Sequence, residues 1–134
     1  MRKLFPFVAL ATIIVAILLI GGRGGQVNRG EEKQERSTCK EIAGEATIVM
    51  RDETYEPQDI QIKRCTKVTF KNTSKDSRWP ASNIHPTHGI YPEFDPQEPV
   101  ESGSEWSFVF DKVGPWKYHD HLVPSIRGTI VVSE

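Results

Sequence analysis

Asp59-Ile60-Gln61-Ile62-Lys63 and, after three intervening residues, Lys67-Val68-Thr69-Phe70-Lys71 alternate apolar and polar side chains without interruption. A period of two puts Ile60, Ile62, Val68 and Phe70 on one face of an extended chain and the polar partners on the other, the pattern of strands covered on one side only. The same alternation runs through Ala46–Arg51, Glu105–Asp111, Trp116–His119 and Arg127–Ser133, with Pro57, Asn72, Gly103, Gly114 and Gly128 marking the breaks. No window beyond the N-terminal segment carries apolar residues at helical spacing, so the class is all-β. Six or seven short strands between Cys39 and Glu134 fit a Greek-key sandwich of two sheets. Its inner faces would come from Ile48, Ile60, Ile62, Val68, Phe70, Phe108, Phe110, Ile130 and Val132. The stretch from Asn72 to Gly103 has the composition of a functional loop and not of a core. Its Tyr91 and Phe94, with Trp79, Trp106 and Trp116, are expected at the rim.

Ahead of this domain, Leu4 to Ile20 is apolar and, as a helix, would span about 25 Å of hydrocarbon. Arg2 and Lys3 precede it. Gly21-Gly22-Arg23-Gly24-Gly25 follows in place of a small-x-small cleavage triplet, so residues 1–22 are expected to be an uncleaved transmembrane anchor with the domain outside the cytoplasm, periplasmic or at the cell surface. Residues 23–38, rich in Gly, Glu, Arg and Gln, then form a flexible tether, and the folded domain covers 39–134. That domain has eleven Lys plus Arg against fifteen Asp plus Glu, which offers nucleic acid no basic surface. Cys39 and Cys65 lack the C-x-x-C spacing of a redox motif or zinc knuckle, and a disulfide is the expectation, with free thiols as the alternative.

All four histidines fall in two tight pairs, His85-Pro86-Thr87-His88 and His119-Asp120-His121. Residues two apart on a strand share a face about 6.6 Å apart, which lets His119 and His121 converge on one ion. Pro86 suits the second position of a type I turn, which would bring His85 and His88 together. The plainer reading makes the first pair part of a hydrated loop and the second a strand end with one satisfied imidazole. Clustering of every histidine at sites that a sandwich places at one end favours a shared metal centre of His85, His88, His119 and His121. Asp120 alternates away from its neighbours, and Glu93 and Asp95 lie in the loop nearby; these three are candidates to support the ligands from outside.

At this point the chain resembles the cupredoxins. Glu56-Pro57, Ile60, Val68-Thr69-Phe70, Asn72, Phe108-Val109-Phe110, Gly114 and Tyr118 carry the likeness across nearly the whole domain. Tyr118-His119-Asp120-His121-Leu122-Val123-Pro124-Ser125-Ile126-Arg127-Gly128 aligns without gaps to the ligand loop of amicyanin and plastocyanin. Where that loop has its cysteine, histidine and methionine ligands, this chain has Asp120, Val123 and Ile126, so none of the three carries over. Without a thiolate, a blue electron-transfer centre is not implied. Ile84-His85-Pro86-Thr87-His88-Gly89 and Trp116-Lys117-Tyr118-His119-Asp120-His121 are similar to the I-H-x-H-G and W-Y-H-x-H segments of multicopper oxidases, each with one inserted residue, and that likeness implies copper.

The resulting expectation is a membrane-anchored extracytoplasmic domain holding one non-blue copper ion, for copper handling or electron transfer with a redox or copper-transfer partner. An all-nitrogen site favours Cu(II) over zinc by the Irving–Williams order. The alternatives are a cell-surface interaction module with structural histidines, an oligomer pairing its clusters into an oxidase-like centre, and a zinc or nickel site with hydrolytic chemistry using Glu93, Asp95 or Asp120 as base. Binding ranks first and enzyme activity last.

Overall fold

The structure is a computed structural model that describes residues 38–134; the expected anchor and all but the last residue of the expected tether lie outside the described residues. No helix among the described residues is long and apolar enough to cross a membrane. Eight strands form: β1 (Gly44–Met50), β2 (Tyr55–Glu56), β3 (Asp59–Lys63), β4 (Thr66–Asn72), β5 (Pro80–Ser82), β6 (Glu105–Phe110), β7 (Gly114–Asp120) and β8 (Arg127–Ser133). One sheet has the order β2-β1-β4-β6 and the other β3-β8-β7-β5. Only β1–β2 and β7–β8 are neighbours in both chain and sheet. Every other connection crosses between sheets, and β1 with β4 and β3 with β8 therefore pair parallel.

The alternating runs Asp59–Lys63 and Lys67–Lys71 form β3 and the middle of β4. Ile60 and Ile62 stand opposite Ile130 and Val132 of β8, while Val68 and Phe70 stand opposite Phe108 and Trp106 of β6. Inward residues of both sheets close on one another around Ile48, Val68, Phe70, Phe110, Ile130 and Val132, with Ile60, Ile62 and Phe108 half-buried against them. The core extends beyond the residues of the alternating runs. Tyr91 and Phe94 are fully buried, not at the rim, and Val100 joins them. Phe94 packs 5.0 to 5.5 Å, centroid to centroid, from Phe110, Phe108 and Phe70. The segment from Asn72 to Gly103 is thus half loop and half core plug, because a Pro-rich chain can still turn two aromatic rings inward.

Gly114 and Gly128 are not breaks but the first residue of β7 and the second of β8. Gly128 is required by close approach: a Cβ there would meet the Tyr118 Oη at 2.5 Å and collide with the Gln58 carbonyl oxygen, the group to which the Tyr118 hydroxyl donates at 2.9 Å. Cys39 and Cys65 form a disulfide, with Cα atoms 5.5 Å apart, which ties the start of the domain to the turn between β3 and β4. The bridge closes a span of 26 residues and stabilises the fold by about 3 kcal/mol in the chain-entropy account.

Candidate metal centre

β7 supplies the first histidine pair. Trp116, Tyr118 and Asp120 alternate toward the core, and His119 turns to the opposite face, where His121 follows it just beyond the strand end. The backbone N–H of His121 donates to the Trp79 carbonyl at 2.7 Å, which fixes the exit of the chain. The second pair sits on a loop that leaves and rejoins β5. Asn83 N–H donates to Lys117 O at 3.0 Å, Ile90 N–H to Asn83 O at 2.8 Å, and the buried Ser82 hydroxyl to His88 O at 2.7 Å. The expected type I turn from His85 to His88 does not form. The turn closes one residue earlier, His88 N–H donating to Ile84 O at 2.7 Å, the His85-Pro86 bond is cis, and His88 takes a left-handed φ of 52°.

All four imidazoles converge. One nitrogen from each lies within 4.8 Å of the others. His85 Nδ1 and His119 Nε2 are 3.2 Å apart, and His88 Nε2 and His121 Nδ1 are 2.9 Å apart. The rings alternate around a centre, with His85 and His88 each 4.8 to 5.3 Å from both His119 and His121, and those two 6.4 Å apart. Two nitrogens each about 2.0–2.1 Å from a common ion lie about 2.9–3.4 Å apart at bond angles of 90–110°. Both close pairs already have that spacing, and a pair at the widest separation, 4.8 Å, must contract by about 1.4 Å to meet the same limit.

Two rings are held in a fixed tautomer by partners outside the cluster. His88 Nδ1–H donates to Asp95 Oδ2 at 2.5 Å, and His119 Nδ1–H donates to Asn83 Oδ1 at 3.0 Å, which leaves a lone pair on each Nε2 facing the centre. Asp95 is itself fixed, its Oδ1 accepting from Trp79 Nε1 at 2.8 Å and from Gln97 N–H at 2.7 Å. Burial pulls the Asp95 carboxyl upward, but the bonds from Gln97, His88 and Trp79 outweigh it and hold it below the usual carboxylate range. Burial, then the nearby charges of His88, His85, His121 and Arg127, push His119 down to about 4, and His121 is lowered by burial and by His88 and His85. Rings that resist protonation keep their lone pairs available to a cation.

Of the three carboxylates singled out from the sequence, only Asp95 touches an imidazole. Glu93 turns to Lys112, 3.0 and 3.1 Å from its two oxygens. Asp120 faces the core and is fully buried. It accepts from Tyr55 at 2.8 Å and from the backbone of Leu122 and Val123 at 2.8 and 3.0 Å, and it lies 3.7 Å from the guanidinium of Arg78. It therefore shapes the turn that follows His121 without reaching the histidines. Asn83 and Trp79 were missed: their contacts with His119 and His121 span the fold, and nothing in local spacing points to them. The Trp79 ring lies 4.7 Å from that of His121.

No protein-family profile matches this sequence, and neither does any curated protein. Solved structures do match. A purple cupredoxin from Nitrosopumilus maritimus superposes with a TM-score of 0.58 over 66% of this chain and 99% of its own, at 24% identity. A reduced amicyanin variant gives a TM-score of 0.58 over 70% of this chain and 87% of its own, and the Cu(I) form of another gives 0.57 over the same shares, both at 20% identity. The fold is the cupredoxin fold. At these identities the likeness is one of architecture, and the ligand loop shows where the chain departs from it. Asp120 occupies the position of the loop's cysteine as a buried, paired carboxylate. Val123 and Ile126, at the positions of its histidine and methionine, pack against the core. This cupredoxin-like domain instead gathers His119, on the other face of β7, with His121, His85 and His88 in a cluster that could hold a metal.

Proposed function

We propose that this chain is a tethered extracytoplasmic copper protein that holds one ion through His85, His88, His119 and His121. The observation that carries the reading is the convergence of four imidazole nitrogens, two of them with their tautomer set by Asp95 and Asn83. Such partners are the usual companions of metal-bound imidazole, since they orient the ring and raise its basicity. Cu(II) binds nitrogen donors tightest among the common divalent ions, and bound copper would supply one-electron chemistry or a transferable ion. The amicyanin structure in its Cu(I) form shares the fold, though not the ligands of its loop.

The chain's own residues divide the work. His88 and His119 are pre-set donors. His85, the most exposed of the four, and the half-buried His121 can shift their protons to the outer nitrogen and present Nδ1. Ile84, Ile90 and Leu122 are exposed and adjoin Asn83, His85 and His121 in chain or by hydrogen bond, giving a redox or copper-transfer partner an apolar surface to dock on. The apolar run Leu4–Ile20 would anchor the domain in a membrane, and the disulfide suits an oxidising compartment. Copper analysis of the purified chain beside its His119→Ala variant tests the reading. One copper per wild-type chain and less than one tenth of that in the variant is expected; equal loading of the two overturns it.

A further inference from the structure

Beside the histidine cluster the surface folds into a cavity of about 270 Å³ lined by Asn83, Ile84, His85, His119, Pro124 and Arg127. Two of its walls are the imidazoles of His85 and His119, one from each pair. A third is the guanidinium side chain of Arg127, which stands directly across from His119 in the β7–β8 register. Arg127 is held there by its Nε–H, which donates to Pro124 O at 2.7 Å, and by the Gln58 amide, which donates to the Arg127 carbonyl at 2.7 Å. No carboxylate lines the cavity, so the cation is not neutralised from within it. Ile84 and Pro124 make the remaining wall apolar.

Arg127 is exposed, so water screens part of its repulsion of an ion at the histidines, and the remainder opposes metal binding. The arrangement becomes favourable when an anion lies between the two positive charges, accepting from the guanidinium on one side and meeting the metal on the other. We propose that this cavity is a binding subsite for a small anion, held between Arg127 and a metal at the four histidines. The proposal rests on the copper reading of the cluster and extends it: the centre would be open to an exogenous ligand on its His85–His119 side and closed on the side where Asp95 meets His88 and Trp79 meets His121. Binding is ligand addition alone, with no bond made or broken in the anion.

The test is an azide titration of the full chain loaded with one Cu(II), followed by the azide-to-copper absorption band and by the change in spin-resonance signal. A saturable band with one dissociation constant is expected. Arg127→Gln should weaken that constant about fivefold to tenfold, the scale of one charge-assisted contact, while its copper content stays at one per chain. Lys71→Gln, the same charge change on an exposed residue of β4 in the other sheet, should leave it within twofold. Copper-loaded protein that shows no azide band, or an Arg127→Gln variant that binds azide as tightly as the wild type, overturns the subsite while leaving the copper reading intact. A wild-type chain that takes up no copper is seen before azide is added and removes both.

Discussion

Replacing Asp95 by asparagine changes one atom and should weaken copper binding by one to two orders of magnitude. The carboxylate makes three bonds, to His88 Nδ1, Trp79 Nε1 and the Gln97 N–H. An asparagine that keeps its oxygen toward Trp79 and Gln97 must turn its amide N–H₂ on His88 Nδ1. The imidazole then accepts there and carries its proton on Nε2, the nitrogen that faces His121 at 2.9 Å. Metal binding has to reverse that tautomer and set N–H against N–H. The other rotamer of the amide restores the His88 bond but loses both Trp79 and Gln97. Either route forfeits a charge-assisted hydrogen bond worth about 1.5–3 kcal/mol, which matches the ~10–100-fold loss of metal affinity seen when such partners are removed. Cu(II) titration against a competing chelator would read the effect, with one copper per chain still bound at saturation. Glu93→Gln, whose carboxylate pairs with Lys112, should leave affinity within twofold. An Asp95→Asn affinity within twofold of wild type would refute the claim that Asp95 sets the donor state of His88.

Asp120→Ala should destabilise the domain by about 3–5 kcal/mol in denaturant unfolding, since it leaves the buried Arg78 without its anion and strips the Tyr55 hydroxyl and two backbone N–H groups of their acceptor. Reducing the disulfide, or the paired Cys39→Ser and Cys65→Ser substitutions, should cost about 3 kcal/mol by the same measurement. Gly128→Ala should cost about 1–3 kcal/mol or more through its collision with Tyr118 and the Gln58 carbonyl, read as a lowered Tm. Metal-free protein should lose stability as pH falls from about 6.5 toward 4, because the unfolded chain takes up a proton at His119 before the folded one does. That window carries up to about 3 kcal/mol, and His119→Gln should flatten the slope in urea titrations across it.

The strands were legible because one covered face writes a period of two into the sequence. Asp59–Lys63 and Arg127–Ser133 form over the expected residues, β6 differs from the expected run by one residue at its end, and β1, β4 and β7 differ by one or two residues at both ends. β2 and β5, of two and three residues, are too short to show any period. Tyr91 and Phe94 were hidden for another reason: prolines and glycine around them signal loop, and only the tertiary fold turns their rings inward. The histidine cluster was readable as spacing, and alternation correctly sent Asp120 to the face opposite His119. Which carboxylate would meet an imidazole was not readable. Glu93 and Asp95 are two residues apart in one loop, and the choice between them is made by Trp79 and Lys112, which come from distant parts of the chain.

X-ray absorption of the copper-loaded chain addresses the central claim most directly, because it counts and identifies the atoms around the ion. Four nitrogen scatterers near 2.0 Å, with the outer-shell pattern of imidazole carbon and no sulfur, are predicted. A sulfur scatterer, or no more than two imidazoles around the copper, would contradict the account.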